Sequence, residues 1–234
     1  MLPVAILAGG MATRLRPITE TIPKSLIEVD GRSFIFHQLE WLHDEGVKSV
    51  VLCVGHLGER IVDAVGNGAA FGVSVEYSFD GKKLLGTGGA LKKATSKLGD
   101  AFFVLYGDSF LCCSFADVQA AFIKAGKPAL MTVLKNEGRW DISNVIFRDG
   151  KLIRYDKENP DLKMRHIDYG LSVVQSAVFS TYAPAESFDL ADVFAKLSRQ
   201  GQLAGHEVRE RFYEIGSHNG LRETEKFLQR KGKR

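Results

Sequence analysis

A pair of glycines near the N-terminus is followed closely by an arginine and a lysine. Gly9 and Gly10 come directly after a short apolar run, and Arg14 and Lys24 lie just downstream. Glycine lets a backbone approach a ligand closely, and free backbone N–H groups in such a turn bind anions. The two cationic side chains add full positive charge. The combination predicts a polyphosphate-binding loop after the first strand.

The spacing of this loop excludes two common nucleotide-binding motifs. A dinucleotide fingerprint needs the pattern G-x-G-x-x-G, and a P-loop needs glycine directly before its lysine. Neither pattern occurs in residues 7–25, where Pro23 precedes Lys24. The sequence therefore argues against an ordinary NAD-binding site and against a P-loop ATPase.

Two further positions have residue types suited to ligand binding. Asp108 follows the apolar run of residues 102–106, and open α/β sheets present ligand-binding groups where their strands end. Its alternative role is to cap the following helix. Gly86 and Gly88 belong to a second glycine cluster, L-G-T-G-G-A at residues 85–90, which opens a helix. Their alternative role is to form only a tight turn.

The remaining reactive side chains do not form recognisable catalytic or metal-binding patterns. None of the six histidines pairs with another at metal-ligand spacing, and the serines and cysteines lack a base partner. The three cysteines are too few for a disulfide framework and lack the paired spacing of a zinc site. We expect them to be reduced thiols.

Composition and charge restrict the class of protein. The chain has 234 residues, of which 45% are hydrophobic and 25% charged, as in soluble globular proteins. No apolar run reaches the roughly 18 residues that a membrane-spanning helix requires, and the N-terminus lacks the basic stretch of a signal peptide. We expect a cytoplasmic protein without a membrane partner.

The net charge of +3 comes from the C-terminus, because residues 226–234 carry five basic residues and no acidic residue. Nucleic-acid binders spread basic residues along a face, so this pattern argues against a nucleic-acid partner. We expect these residues to form a frayed basic tail.

The elements that must position these residues follow from hydrophobic periodicity. Apolar runs alternate with segments of helical period, which is typical of βαβ units. In the first half, strands are predicted at residues 4–7, 47–54, 73–78 and 101–106, and helices at 34–45, 57–65, 90–98 and 115–125. The pattern predicts an α/β fold with a Rossmann-like, mostly parallel sheet.

After about residue 128 the predicted strands lie closer together. They cover residues 129–134, 144–147, 152–155, 171–174, 203–208 and 212–215, with helices at 190–199 and from 221. The dipeptide Asp149-Gly150 predicts a hairpin. Because there is no linker, we expect one domain over 1–234, with a nucleotide-binding half (1–127), a strand-rich substrate lobe (128–225) and the basic tail (226–234).

Residues 7–25 resemble the N-terminal signature of the sugar-1-phosphate nucleotidyltransferase family, L-A-G-G-x-G-T-R-L-x-P-L-T followed by P-K-P or P-K-S. Ala12 stands where the family usually has glycine. The resemblance runs from Val4 to about Leu221 and leaves no residues for the left-handed β-helix of some relatives. It implies the nucleotide-diphospho-sugar transferase fold and catalytic roles for Arg14 and Lys24. It implies nucleotide-binding roles for Leu7, Ala8, Gly9, Gly10 and Thr13.

Other motifs extend this resemblance. Asp108 resembles the family's G-D metal site, and the repulsion between two phosphorylated substrates requires Mg²⁺ there. Glu214 stands where a late D-x-G-T strand supplies a second metal ligand, although it could be only a solvent-facing glutamate. Gly86 and Gly88 are implied to approach the base or ribose. Their L-G-T-G-G-A loop is most similar to members that activate heptose or mannose 1-phosphate with GTP.

The second half carries motifs that resemble the family's sugar-binding segments. Residues 155–160 resemble E-E-K-P, which implies that Lys157 binds the sugar phosphate and Asp156 a sugar hydroxyl. Residues 168–171 resemble N-x-G-x-Y, which implies that Asp168 and Gly170 lie over the sugar. The final aromatic residue is missing, and residues 142–144 (I-S-N) replace the family's Y-G element.

The resemblance implies a Mg²⁺-dependent enzyme that joins an NTP, with GTP favoured, to a heptose or hexose 1-phosphate and releases pyrophosphate. One alternative is a cytidylyl- or uridylyltransferase for another sugar phosphate or a small phosphorylated alcohol. Another is a non-catalytic regulator that binds an NDP-sugar. The nucleobase, the sugar and the oligomeric state stay open, a homo-oligomer included.

Overall fold

Helices and strands alternate along most of residues 1–231, the part of the chain that the computed structural model describes. The strands are β1 (Val4–Leu7), β2 (Glu28–Val29), β3 (Arg32–Ser33), β4 (Ser49–Val54), β5 (Ser74–Phe79), β6 (Ala101–Tyr106), β7 (Ser109–Phe110), β8 (Ala129–Lys135), β9 (Val145–Arg148), β10 (Lys151–Tyr155), β11 (His166–Gln175), β12 (Leu203–Val208) and β13 (Tyr213–Glu214). The α-helices are α1 (Phe34–Asp44), α2 (Gly58–Val65), α3 (Gly86–Leu98), α4 (Phe115–Ala125), α5 (Leu190–Arg199) and α6 (His218–Lys231).

A nine-stranded sheet has the order β10-β9-β11-β6-β1-β4-β5, with β8 beside β11 and β12 beside β8. The strands β6, β1, β4 and β5 are parallel, and β11 is antiparallel to β6. This confirms the predicted α/β class with a mostly parallel sheet. Because β6 pairs with both β1 and β11, the two halves of the chain contribute to the same sheet.

The apolar residues of the central strands are buried on both faces of the sheet. In β1, Val4 and Ile6 pack in one core with α1 and α4, and Ala5 packs in a second core with α3 and α5. Strands covered on both faces need near-continuous apolar sequence, and this is the pattern of the predicted runs. All four parallel strands end at one edge, where their loops meet.

Some boundaries differ from the predictions. The hairpin at residues 149–150 is confirmed, since Asp149 and Gly150 both have positive φ between β9 and β10. Helix α3 begins at Gly86 instead of residue 90, and β11 begins at His166 instead of residue 171. Glycine has low helix propensity and polar residues are rare in buried strands, so sequence patterns understate both elements.

Most of the predicted basic tail is helical. Residues 226–231 form the end of α6, where Leu228 is buried and Phe227 stacks on Tyr213 with ring centroids 4.0 Å apart. The expectation of a frayed terminus is therefore wrong for these residues, and residues 232–234 lie outside the described residues. Within residues 1–231, no helix combines the length and apolar character needed to cross a membrane.

Candidate active site

A cavity of about 260 Å³ opens where β1, β4, β5 and β6 end. Its walls come from the loop after β1, from the segment between β5 and α3, and from the loop after β6. The predicted site residues on these walls are Leu7, Ala8, Gly9, Gly10, Lys24, Gly86 and Asp108. Residues from four separate parts of the predicted nucleotide-binding half therefore meet at one edge of the sheet.

The first glycine pair combines one packed and one open position. A Cβ at Gly9 would lie 3.1 Å from the backbone nitrogen of Gly55, so this glycine lets the loops after β1 and β4 touch. A Cβ at Gly10 would meet no atom within 4 Å. The backbone at Gly10 is consequently free to be approached by a ligand, as a phosphate-binding turn requires.

Ala12 adopts the left-handed backbone conformation that the glycine of the related motif would adopt without strain. Its φ is 48° and its ψ is 45°, and such a conformation costs a residue with a Cβ roughly 1–2 kcal/mol. Thr13 and Arg14 follow in a 3₁₀ turn and are exposed. They lie next to Ala12, which lines the cavity, but not on the wall itself.

Opposite charges meet on the cavity wall. The Lys24 Nζ donates a hydrogen bond of 2.8 Å to Asp108 Oδ2, and the hydroxyl of Ser109 contacts Asp108 Oδ1 at 3.2 Å. The side chain of Lys24 is 20% exposed to solvent and that of Asp108 is 31% exposed. A ligand can therefore reach both charges, and the carboxylate is a hard oxygen donor of the kind that Mg²⁺ prefers.

Glu214 lies beside Asp108 along the backbone, because the Ile215 N–H donates to the Asp108 carbonyl at 2.9 Å. Its carboxylate faces the start of α6, where it accepts hydrogen bonds from Gly216 N and from Ser217 Oγ. Within residues 1–231, no group of three His, Cys, Asp or Glu side chains forms a metal cage. A Mg²⁺ ion on Asp108 would thus take most of its other ligands from phosphate and water.

The second glycine cluster is covered by a segment from the other half of the chain, residues 186–190. The Gly88 and Gly89 N–H groups donate to the Phe188 carbonyl at 2.9 and 3.2 Å. A Cβ at Gly88 would lie 2.3 Å from the Phe188 ring, and one at Gly86 would lie 2.6 Å from the Phe188 oxygen. These glycines therefore have a packing role. Gly86 lines the cavity, whereas Gly88 is not on its wall, and its nucleotide contact stays a prediction.

Asp189 completes this contact from the second half and also lines the cavity. Its Oδ1 accepts hydrogen bonds from the backbone and hydroxyl of Thr87 at 3.4 and 3.3 Å. The Thr87 hydroxyl in turn accepts from Leu190 N at 2.8 Å. Asp189 was not predicted as a site residue, because an aspartate directly before a helix is typical of an ordinary N-cap.

Asp80 is a second acidic wall residue that was not predicted from the sequence. It follows β5 directly, so the strand-end rule that selected Asp108 also identifies it. Its Oδ2 accepts the Leu85 N–H at 3.1 Å, and burial raises the pKa of this carboxyl. Nearby, burial raises the pKa of the Cys53 thiol to about 12, so this cysteine is not a thiolate nucleophile at neutral pH.

Asp168 and Gly170 lie behind the cavity wall in β11. Gly170 has a φ of 101° at an irregularity in the pairing of β11 with β8, and its N–H donates to Asp168 Oδ1 at 3.0 Å. Burial raises the pKa of Asp168 to about 6, although the Gly170 N–H and the Lys157 ammonium act in the opposite direction. Burial also raises the pKa of Tyr106 on the cavity wall, and Asp168 and Asp108 raise it further. Tyr106 is therefore within electrostatic reach of both carboxylates.

Asp156 and Lys157 occupy the turn after β10. The Asp156 carboxylate accepts from Asn159 N and from Arg154 Nη2, both at 2.9 Å, and these contacts lower its pKa. Lys157 is exposed. Neither residue lines the cavity, but the charge of Lys157 reaches Asp168, so the two predicted sugar-binding segments are neighbours.

Known proteins resemble the chain over almost its full length. A family model described as nucleotidyl transferase matches residues 4–231. The D-glycero-alpha-D-manno-heptose 1-phosphate guanylyltransferase of Aneurinibacillus thermoaerophilus is 29% identical over 228 residues, 96% of this chain and 97% of the relative. The glucose-1-phosphate thymidylyltransferase of Streptomyces antibioticus is 33% identical over 173 residues, which cover 72% of this chain and 47% of that relative.

Solved structures share the fold. HddC from Yersinia pseudotuberculosis complexed with GMP-PN has a TM-score of 0.77 at 22% identity. The match covers 97% of this chain and 100% of the HddC chain. A Bacillus anthracis protein solved in complex with sucrose has a TM-score of 0.83 at 22% identity. The match covers 97% of this chain and 95% of that chain. The family resemblance predicted from the motifs is confirmed, and the chain belongs to the nucleotidyl transferase family of enzymes.

Proposed function

We propose that the enzyme transfers a nucleotidyl group from an NTP to a sugar 1-phosphate, with GTP and a heptose or hexose 1-phosphate as the favoured substrates. A phosphate oxygen of the sugar 1-phosphate forms a bond to the α-phosphorus, and the bond between the α- and β-phosphates breaks and releases pyrophosphate. The observation that carries this proposal is the Lys24–Asp108 pair, 2.8 Å apart, on the wall of a cavity that the open backbone of Gly10 also lines.

This chemistry requires charge stabilisation and alignment rather than a general base, because the attacking phosphate is already ionised near neutral pH. Lys24 would stabilise negative charge on the transferred phosphate. Arg14 is exposed beside the phosphate loop, and its guanidinium would bind the pyrophosphate that leaves. Neither role needs a buried proton acceptor.

The carboxylate of Asp108 fits a Mg²⁺ ion, since it is a partly exposed oxygen donor on the cavity wall. When bound, the ion would offset the repulsion between the negative charges of the two substrates. Glu214 is the second ligand in the proposal, directly or through a water molecule. A Cβ at Gly216 would lie 2.6 Å from Glu214 Oε2 and 3.5 Å from Asp108 Oδ2, so the two carboxylates approach the same point.

The proposed preference for GTP is based on the position and chemistry of the Asp80 carboxylate. Asp80 and Asp108 follow strands that are three positions apart in the sheet, which corresponds to roughly 14 Å at about 4.8 Å per strand. That span separates a base end of the cavity from a phosphate end. A carboxylate accepts hydrogen bonds only, and guanine presents two adjacent donors, N1–H and N2–H₂. Some relatives are guanylyltransferases, which supports this choice, and others are named as a thymidylyltransferase and a uridylyltransferase.

The sugar 1-phosphate is assigned to the side of the cavity next to β11. Lys157 would bind its phosphate, and Asp156, Asp168 and Gly170 would surround its hydroxyl groups. The relative from Aneurinibacillus thermoaerophilus acts on a heptose 1-phosphate, and relatives from fungi are mannose-1-phosphate guanyltransferases. A heptose or hexose 1-phosphate is therefore the substrate class to test first.

A pyrophosphate-release assay tests the proposal with four NTPs against heptose, mannose and glucose 1-phosphates and phosphocholine. We expect the highest kcat/KM with GTP and one of the sugar phosphates. Turnover only with CTP or UTP, or only with phosphocholine, would replace the proposal with the corresponding alternative transferase. Binding of an NDP-sugar without any pyrophosphate release would instead identify a regulator.

A further inference from the structure

Asn144, directly before β9, joins the two segments that carry the predicted sugar-binding residues. Its carbonyl accepts the Asp156 N–H and its own N–H donates to the His166 carbonyl, both at 3.0 Å. Its side-chain Oδ1 accepts the Asp168 N–H, also at 3.0 Å. A single residue therefore fixes the turn after β10 against the start of β11.

These bonds determine which way the side-chain amide faces. A backbone N–H can only donate, so the atom that accepts from Asp168 has to be the oxygen of the amide. The other atom of the amide is then Nδ2, which has no hydrogen-bond partner within residues 1–231. Nδ2 is also not among the fully buried atoms that lack a partner in that range. Asn144 is half-buried, so these two N–H donors are accessible to a ligand.

Asp168, whose backbone N–H binds the Asn144 side chain, also carries an acceptor. Its Oδ1 is occupied by the Gly170 N–H, and within residues 1–231 its Oδ2 has no hydrogen-bond partner. A hydroxyl group accepts from an N–H and donates to a carboxylate at the same time. The unpartnered donors of Asn144 and the unpartnered oxygen of Asp168 therefore offer the two kinds of hydrogen bond that a sugar hydroxyl group makes.

We propose that Asn144 is a specificity-determining residue that donates a hydrogen bond from Nδ2 to one hydroxyl oxygen of the sugar 1-phosphate. The inference rests on the proposed function, because a nucleotidyl acceptor without hydroxyl groups would not use this donor. Residues 142–144 depart from the related family's Y-G element. In this proposal they select among sugars that differ at one hydroxyl position.

The first step of the test uses the wild-type enzyme. Pyrophosphate release is measured with GTP and a panel of heptose and hexose 1-phosphates, and the best substrate is then compared with its monodeoxy analogues. Failure of every sugar 1-phosphate would overturn the proposed function itself. For a working substrate, we expect one deoxy analogue to raise KM about three- to tenfold, the usual effect of losing one neutral hydrogen bond.

The second step repeats the series with Asn144→Asp. This variant keeps an oxygen acceptor for the Asp168 N–H but replaces the Nδ2 donors with a second oxygen. We expect KM for the parent sugar phosphate to rise at least tenfold, with the KM for GTP nearly unchanged. The analogue that lacks the contacted hydroxyl should show a KM increase several-fold smaller than the parent does.

A matched control is Asn67→Asp, the same chemical change at an exposed turn where Oδ1 accepts the Ala69 N–H at 3.1 Å. It should leave the whole series unchanged. A purely structural role or simple charge repulsion in Asn144→Asp would raise KM equally for the parent and every analogue. Equal increases, or no increase, would overturn the proposal for Asn144 while leaving the proposed function intact.

Discussion

The ammonium group of Lys24 and the carboxylate of Asp108 are hydrogen-bonded at 2.8 Å, which joins the loop after β1 to the loop after β6. Both groups keep part of their exposure, so solvent or a ligand can compete for each of them. An exposed ion pair of this kind contributes little to folding stability, typically about 0–1 kcal/mol. Changes at either residue should therefore affect activity far more than stability.

Replacing Lys24 or Arg14 with alanine should lower kcat by about two to three orders of magnitude, because each removes positive charge that stabilises the transition state. Steady-state pyrophosphate release and a thermal unfolding curve measure the two effects separately. Lys48→Ala, at an exposed lysine on the opposite edge of the sheet, is the control for loss of one positive charge. Near-full turnover in a folded Lys24→Ala or Arg14→Ala variant would contradict the assignment of the phosphate loop.

Asp108→Asn should raise the Mg²⁺ concentration needed for half-maximal activity and lower kcat, since an amide oxygen is a weaker ligand than a carboxylate. Glu214→Gln should do the same to a smaller degree, because two of its hydrogen bonds are directed to Gly216 and Ser217. Mg²⁺ titrations of the two variants test both expectations. An unchanged titration for Glu214→Gln would remove Glu214 from the metal site and leave Asp108 with phosphate and water ligands.

Lys157→Ala should chiefly raise KM for the sugar 1-phosphate, by about tenfold or more, because a lysine that binds a charge present in the ground state acts on binding. The KM for GTP should change little. Initial rates with one substrate varied at a time distinguish the two constants. Lys163→Ala, an exposed lysine in the same connection between β10 and β11, controls for a general effect of charge. Equal loss of affinity for both substrates would place Lys157 at the nucleotide instead.

Asp80→Asn should reduce the preference for GTP over UTP by about 10- to 100-fold, the range expected when a two-donor contact with guanine is lost. The variant retains an oxygen that can accept the Leu85 N–H, so the turn before α3 should stay intact. Ratios of kcat/KM for the two nucleotides provide the measurement. Asp63→Asn, on an exposed face of α2, is the matched control. A GTP preference that survives in Asp80→Asn would show that another group selects the base.

The pKa of Asp168, about 6 in the folded protein and about 3.9 in an unfolded chain, makes stability depend on pH. Between these values the folded state binds more protons than the unfolded state, so the free energy of unfolding should fall as pH rises from about 4 to about 6. Asp168→Asn should remove this decline and stabilise the protein above pH 6, by less than about 3 kcal/mol. Melting temperatures of both proteins from pH 4 to pH 8 isolate the contribution. Parallel curves would contradict it.

Hydrophobic patterning identified the central strands and the site residues that follow them. Val4, Ala5 and Ile6 are apolar because both faces of β1 are covered, and Asp108 is recognisable because it ends the next strand of the sheet. Asp80 also directly follows a strand, so the same rule identifies it from the sequence. Local sequence therefore carries most of the information about the edge of the sheet where the cavity opens.

Contacts between distant segments were not predictable in this way. Gly88 approaches Phe188 across a hundred residues, and only the folded chain shows that this glycine is needed for packing. The bonds of Asn144 depend on the register between β9 and β11, which a residue pattern does not define. The contacts of Arg14, Lys157 and Glu214 with substrates or metal stay predictions, because they depend on molecules that bind from outside.

The seating of residues 186–190 on the first turn of α3 has a consequence for synthesis on the ribosome. A nascent chain that ends near residue 127 would carry the glycine cluster with the Gly88 and Gly89 N–H groups unpaired, and with the edge of β6 uncovered by β11. Exposed strand edges of this kind are sites at which chains aggregate. Protection by chaperones would matter most in the interval before the second half emerges, and catalytic competence would be acquired only after Asp189 has left the exit tunnel.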